Sequence, residues 1–99
     1  MSNKLLSSAA AFVLAGARPA MACDAPIKVG VLHSLSGTMA ISETTLKDTM
    51  EMLVEQQNEK GGLLGCDLEA VVVDPASDWP LFAEKARELL TVQEVDVIF

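Results

Sequence analysis

Three polar residues in one short segment are the first candidates for chemistry. His33, Ser34 and Ser36 lie close together, and a histidine beside a serine is a combination that nucleophilic catalysis uses. Neighbours in one loop seldom reach each other in hydrogen-bond geometry, and neither a third orienting group nor a Gly-x-Ser-x-Gly elbow accompanies them. The pattern favours a histidine bonded to backbone, and we predict that the chain has no catalytic residue.

A second polar segment contains Asp74 and Asp78, followed by Trp79. Two carboxylates at this spacing could ligate a hard cation, but capping of backbone N–H groups at a loop and a helix start is the favoured interpretation. Trp79 could form a ligand platform, although packing is favoured. Neither Gly-x-Gly-x-x-Gly nor Gly-Lys-Ser/Thr occurs. We therefore predict neither a metal site nor a cofactor.

The two cysteines raise the question of compartment. Cys23 and Cys66 have no histidine or further cysteine at ligand spacing, so zinc binding is not predicted. They could pair in an oxidising compartment, but a free Cys66 is the default expectation. Cys23 is also a candidate for lipidation, because small residues precede it as in bacterial lipoproteins. Plain cleavage before Cys23 is favoured over lipidation.

Residues 1–22 have the order of a secretory signal peptide. Lys4 gives a basic start, an apolar run follows, Arg18 and Pro19 break it, and the A-x-A pattern ends at Ala22. The apolar run is too short to cross a bilayer. We expect residues 1–22 to be removed on export, which leaves residues 23–99 as the mature part of this sequence.

Composition restricts the function classes. The chain has 99 residues, of which 51% are hydrophobic, so it holds one small domain at most and is not disordered. Residues 23–99 hold all fourteen acidic and five of the seven basic side chains, and their net charge is −9. An acidic surface repels phosphate backbones, so nucleic acid is not an expected partner.

The polar segments need elements to position them, and hydrophobic periodicity predicts those elements. Residues 27–32 and 68–73 read as buried strands, and residues 95–99 begin a third. A helix is predicted from about Ser42, its N-cap, to the Gly61-Gly62 stop. Its predicted inner stripe is Leu46, Met50, Leu53, Val54 and Gln57.

A second helix is predicted to start near Pro80, with Ser77 or Asp78 as its cap. Its predicted buried stripe is Phe82, Ala86, Leu89 and Leu90. Strands that alternate with amphipathic helices predict an α/β fold with a parallel sheet in β-α-β-α-β order. Ligands of such sheets collect at the carboxyl ends of the strands, so residues 33–41 and 74–79 are the expected site.

Three strings carry a family resemblance. They are HSLSGTMAISE at 33–43, NEKGGLLG at 58–65 and DPASDWPLFAEKA at 74–86. The chain resembles the urea-type substrate-binding proteins of ABC transporters, a branch of the branched-chain amino acid and amide-binding group of periplasmic binding proteins. The first string and the DPASDWP part of the third are much more specific to the urea and short-amide branch than the second string is, and the resemblance covers about residues 27–99.

The resemblance implies a type I periplasmic binding protein with two α/β lobes, of which residues 23–99 form an incomplete N-terminal lobe. By position, Ser36, Gly37 and Thr38 match residues that border the family's ligand cleft. Most direct ligand contacts in the family come from later parts of the chain. The implied function is capture of urea or a short-chain amide in the periplasm for an inner-membrane ABC permease, without catalysis. We also expect residues 23–99 alone to be aggregated or molten.

Other functions stay open. A branched-chain amino acid-type binding protein or a ligand-sensing domain of the same fold would share these motifs. A small flavodoxin-like enzyme or regulator is a more remote alternative. A phosphorylation pocket would need acids at the end of the first strand, where His33 stands.

Overall fold

The computed structural model describes residues 23–99, in which strands alternate with helices. The predicted signal peptide, residues 1–22, lies outside the described residues. The elements in chain order are β1 (Ile27–Leu32), α1 (Ala40–Glu59), β2 (Leu68–Val73), α2 (Trp79–Thr91) and β3 (Val97–Ile98). The first two strands have the predicted bounds.

The three strands form one parallel sheet in the order β2-β1-β3. Its register pairs Ile27 with Leu68 at one end of β1 and Leu32 with Val73 at the other. Each pair of consecutive strands is joined through a helix, as parallel pairing requires. The predicted α/β parallel-sheet fold is confirmed.

β3 is shorter than the predicted strand over residues 95–99, but the pairing extends beyond it. Asp96 N donates to Lys28 O at 2.8 Å, and Leu32 N donates to Phe99 O at 2.8 Å. The chain therefore runs beside β1 over most of the predicted span, although only two residues have strand geometry.

The core lies where α2 meets the central strand. Val31 and Leu89 are fully buried, and Val29 and Val95 are nearly so. A Cβ on Gly30 would lie 3.2 Å from the Leu89 side chain, so the glycine lets α2 approach β1 closely. The prediction that Leu90 belongs to the buried stripe is wrong: it is 57% exposed, because each helical residue is rotated about 100° from its neighbour.

Helix α1 departs from prediction at its start and along its inner face. It begins at Ala40 with Met39 as N-cap, so Ser42 is not the cap; instead Ser42 Oγ donates to Met39 O at 3.3 Å. None of its residues is fully buried, and Leu46 and Leu53 are about half exposed. The reason is that α1 packs mainly over β2, which leaves an open apolar groove between α1 and β3.

The predicted helix stop is confirmed. Gly61 and Gly62 both have a positive φ, of 106° and 81°, which glycine adopts at little cost. A Cβ on Gly62 would overlap the carbonyl oxygen of Cys66. The chain then makes a tight turn in which Leu63 N donates to Cys66 O at 2.7 Å.

Cys23 and Cys66 form a disulfide, with their Cα atoms 5.7 Å apart. The expectation of a free Cys66 is therefore wrong. The reason is the strand register. Each cysteine lies a few residues before a strand, and because β1 and β2 are parallel neighbours, the segments that precede the two strands meet at the amino edge of the sheet.

Within residues 23–99, no helix combines the length and hydropathy needed to cross a membrane.

Candidate functional site

The segments that follow β1 and β2 lie side by side at the carboxyl edge of the sheet, as predicted. They are joined by hydrogen bonds among residues far apart in sequence. We call the residues at this contact between the two segments the loop clasp. They are Ser34, Ser36, Gly37, Asp74 and Ser77.

Asp74 is the acceptor at the centre of the loop clasp. Its Oδ1 accepts from Leu35 N at 2.9 Å and from Ala76 N at 2.7 Å, and its Oδ2 accepts from Ser36 Oγ at 2.8 Å. These donors, the Leu35 N–H first and then the Ser36 hydroxyl, lower the pKa of the Asp74 carboxyl below its ordinary value of 3.8. The predicted capping role of Asp74 is confirmed.

Ser77 supplies the remaining bonds of the clasp. Its Oγ donates to Ser36 O at 2.8 Å and accepts from Met39 N at 2.9 Å. Its backbone N donates to Ser34 Oγ at 2.8 Å, which gives the hydroxyl oxygen of a fully buried serine a hydrogen-bond donor. We predicted Ser77 only as a possible helix cap, and its contacts with the first loop were not predicted.

Gly37 is the point of closest approach between the two loops. Its φ is 85°, and a Cβ there would lie 2.7 Å from Ser77 Oγ and 3.0 Å from Ala76 O. Ala76 and Ser77 themselves have positive φ values of 55° and 58°, which are strained for residues with a side chain. Both loops are therefore held in conformations that the clasp bonds stabilise.

His33 lies beside a carboxylate, whereas we predicted that it bonds backbone. Its Nδ1 is 3.7 Å from Glu43 Oε1, and the same oxygen accepts a hydrogen bond from Ser34 N. Glu43, in the first turn of α1, thus ties this helix to the first loop. No pattern in the sequence near Glu43 indicated this contact.

For Asp78 and Trp79, one prediction is confirmed and the other is wrong. Asp78 is the N-cap of α2, where its Oδ2 accepts from Leu81 N at 3.3 Å, with Pro80 following at the helix start. Trp79 is 87% exposed, so the preference for packing is wrong. Its one ring neighbour among the described residues is Phe82, at 6.2 Å between ring centroids.

Ser36, Gly37 and Thr38, the predicted cleft residues, are exposed together at the carboxyl edge. They present hydroxyl and backbone groups. Neither segment that forms this edge, 33–41 or 74–79, contains a lysine or an arginine. Residues 23–99 contain no group of three or more His, Cys, Asp or Glu side chains placed to hold a metal ion. The edge is suited to hydrogen bonding of a small polar ligand.

Comparison with known proteins agrees with this architecture. Residues 27–99 match the family model described as "Periplasmic binding protein domain". The chain is 35% identical over 99 residues to a Leu/Ile/Val-binding protein homolog 7 from Brucella suis, and it spans 24% of that relative's length.

Solved structures give the same result. The chain is similar to the branched-chain amino acid transporter substrate binding protein LivJ from Streptococcus pneumoniae, solved with isoleucine, at a TM-score of 0.72 and 27% identity over 74% of this chain and 21% of that one. It is also similar to a fatty acid ABC transporter substrate-binding protein from Thermomonospora curvata, at a TM-score of 0.70 and 29% identity over 77% and 19%. The chain belongs to the periplasmic binding protein family.

Proposed function

We propose that the full-length protein is the solute-binding component of an ABC importer in the bacterial periplasm, and that it captures urea or a short-chain amide. In this proposal residues 1–22 are a cleaved secretory signal peptide and residues 23–99 are the beginning of the N-terminal lobe. Ser36, Gly37 and Thr38 border the ligand cleft, and an inner-membrane permease receives the ligand.

The observation that carries the proposal is the hydrogen-bonding surface around Ser36 and Thr38, whose two segments contain no lysine or arginine. The one carboxylate of the loop clasp, Asp74, already accepts three hydrogen bonds from the protein itself. Because no lysine or arginine stands in either segment of this edge, the edge offers no cation to a carboxylate. Urea and amides are neutral, and pairing of their N–H and C=O groups would give selectivity.

The disulfide supports the proposed compartment. Disulfides persist in the periplasm and are rare in the cytosol of mesophiles, so the Cys23–Cys66 bond fits an exported chain. It also bears on lipidation, because a sulfur in a disulfide cannot carry a thioether-linked lipid. We therefore favour cleavage before Cys23 without a lipid anchor.

A second candidate ligand is an aliphatic amino acid. It is favoured by the Leu/Ile/Val-binding name of the Brucella suis relative and by the isoleucine in the Streptococcus pneumoniae structure. The cation or N–H groups needed for its carboxylate would then come from outside residues 33–41 and 74–79.

Calorimetry on the full-length protein with urea, acetamide and leucine separates these candidates. We expect binding of urea or acetamide and weaker binding of leucine. A preference for leucine would establish the amino acid candidate instead, and release of ammonia from urea would overturn the assignment to a non-catalytic receptor. Mass spectrometry of the exported protein should show a chain that starts at Cys23 and is lighter by two hydrogen atoms than its reduced form.

A further inference from the structure

We infer that Asp74 fixes the hydrogen-bond polarity of Ser36, so that the Ser36 hydroxyl can only accept from a ligand and therefore selects a ligand with an N–H group at that point. The inference rests on the proposed function, because it concerns how the same cleft edge recognises a small ligand. Asp74 is a positioning residue in this account, and Ser36 is the residue that contacts the ligand.

The hydrogen of the Ser36 hydroxyl points in one direction. A serine hydroxyl has one hydrogen to donate and two lone pairs that accept, and it normally rotates to suit its partner. Here Ser36 Oγ lies 2.8 Å from Asp74 Oδ2. An ionised carboxylate only accepts, so the hydrogen must point at Asp74 and the lone pairs point away from it.

Asp74 can act toward Ser36 only as a hydrogen-bond acceptor. Its Oδ1 is occupied by Leu35 N at 2.9 Å and Ala76 N at 2.7 Å, so Oδ2 alone faces Ser36. The same donors keep the pKa of Asp74 below its ordinary value, and the carboxyl stays ionised at neutral pH. The orientation of the Ser36 hydroxyl is therefore set before any ligand arrives.

Ser36 is exposed at the carboxyl edge of the sheet, and within residues 23–99 no other group donates to its Oγ. Its backbone oxygen accepts from Ser77 Oγ at 2.8 Å, which holds the Ser36 backbone in place, and turning the hydroxyl away would break its bond to Asp74. An amide NH₂ group can satisfy the exposed lone pairs, whereas a carboxylate oxygen would face them and be repelled.

The test measures the affinity of the full-length protein for acetamide and for acetate. The two probes have the same shape, but acetamide carries an NH₂ group where acetate carries a negatively charged oxygen. We expect the wild type to bind acetamide much more tightly than acetate. In Asp74→Asn the amide oxygen must still face the two backbone donors, so its NH₂ group faces Ser36 Oγ and frees the hydroxyl hydrogen to donate to the ligand. The ratio of the two affinities should fall about tenfold.

The control variant is Asp67→Asn, since Asp67 and Asp74 flank the two ends of β2. It makes the same charge change about 20 Å away and should leave the ratio of the two affinities unchanged. A second variant, Ser36→Ala, removes the acceptor. It should weaken acetamide binding about tenfold without weakening acetate binding.

The outcomes distinguish this inference from the proposed function. Failure of the wild type to bind urea, acetamide or leucine would refute the proposed function and this inference with it. Binding of acetamide with a ratio to acetate that Asp74→Asn leaves unchanged would overturn this inference alone. Equal weakening of both probes in Ser36→Ala would do the same, since it would show that Ser36 only supports the loop. If Asp74→Asn does not fold, as judged by circular dichroism, Ser36→Ala decides.

Discussion

The two edges of the parallel sheet are held by different chemistry. At the carboxyl edge, the loop clasp joins the segments after β1 and β2 through hydrogen bonds alone. At the amino edge, the Cys23–Cys66 disulfide joins the segments before the same two strands. The Asn58 carboxamide adds a bidentate contact there, donating to Leu68 O at 2.9 Å and accepting from Leu68 N at 2.7 Å.

The amino edge is held by a covalent bond, whereas the carboxyl edge is held by hydrogen bonds that can break and re-form. A disulfide acts on stability chiefly by restricting the unfolded chain, and it lies at the edge where we expect no ligand. Each bond of the loop clasp contributes only about 0.5–1.5 kcal/mol, but its geometry sets which donors and acceptors face the proposed cleft. Changes at the amino edge should therefore alter stability, and changes at the carboxyl edge should alter ligand selection as well.

The largest expected effect is removal of the disulfide. Cys66→Ser opens a loop with a sequence separation of 43 residues, and the loop-closure entropy predicts a loss of about 4 kcal/mol. The free energy of unfolding of the full-length protein, measured with guanidinium chloride, should fall by that order. Acetamide affinity should stay the same, because the cleft edge is at the other end of the strands.

Two controls sharpen this prediction. Cys23→Ser should cost as much as Cys66→Ser, and the double variant should cost no more than either single one. A Cys66→Ser protein of unchanged stability, or a wild-type protein that carries a lipid on Cys23, would show that the two cysteines do not pair in the mature protein.

The next effect compares glycines at the two edges. Gly37→Ala places a methyl group 2.7 Å from Ser77 Oγ at a φ of +85°, and we expect a loss of about 2–3 kcal/mol together with weaker acetamide binding. Gly61→Ala has a φ of +106° but meets nothing within 4 Å, so it should cost only about 1 kcal/mol and leave acetamide binding unchanged. Equal losses from both substitutions would mean that the two loops do not need close contact.

The fold was predictable because its signals are local. The alternation of short apolar runs with helical periodicity indicated a parallel α/β sheet, and Gly61 and Gly62 marked the end of the first helix. Errors arose where contacts between distant segments decide the outcome. Helix α1 starts ahead of Ser42 where Ser77 Oγ holds Met39 N, and nothing in the sequence near Ser42 indicates that bond.

The candidate site was predictable in position but not in its internal contacts. The rule that ligands collect at the carboxyl ends of parallel strands placed it in residues 33–41 and 74–79. The bonds from Asp74 to Leu35 and from Ser77 to Ser34 span 39 and 43 residues, which no local pattern encodes. The disulfide was missed for a related reason: its partners meet only through the β1–β2 register.

A smaller effect concerns pH at the carboxyl edge. The lowered pKa of Asp74 means that folding favours its carboxylate. This contribution is fully present above the ordinary value of 3.8 and is lost as the pH falls through the lower folded value. In Asp74→Asn that contribution is absent at every pH. The stability difference between wild type and Asp74→Asn, from guanidinium chloride unfolding at several pH values, should therefore shrink below about pH 4.

The smallest effect is expected at Trp79, on the same edge. Its side chain is 87% exposed, so Trp79→Ala removes little buried area and should change the free energy of unfolding by less than about 0.5 kcal/mol. Asp78→Ala, one residue earlier, removes the α2 cap and should cost about 1 kcal/mol. Guanidinium chloride unfolding of the two full-length variants provides the comparison. A larger loss for Trp79→Ala than for Asp78→Ala would show that the tryptophan is covered in the full-length protein, and the exposure seen in residues 23–99 would then mark a contact with the rest of the chain.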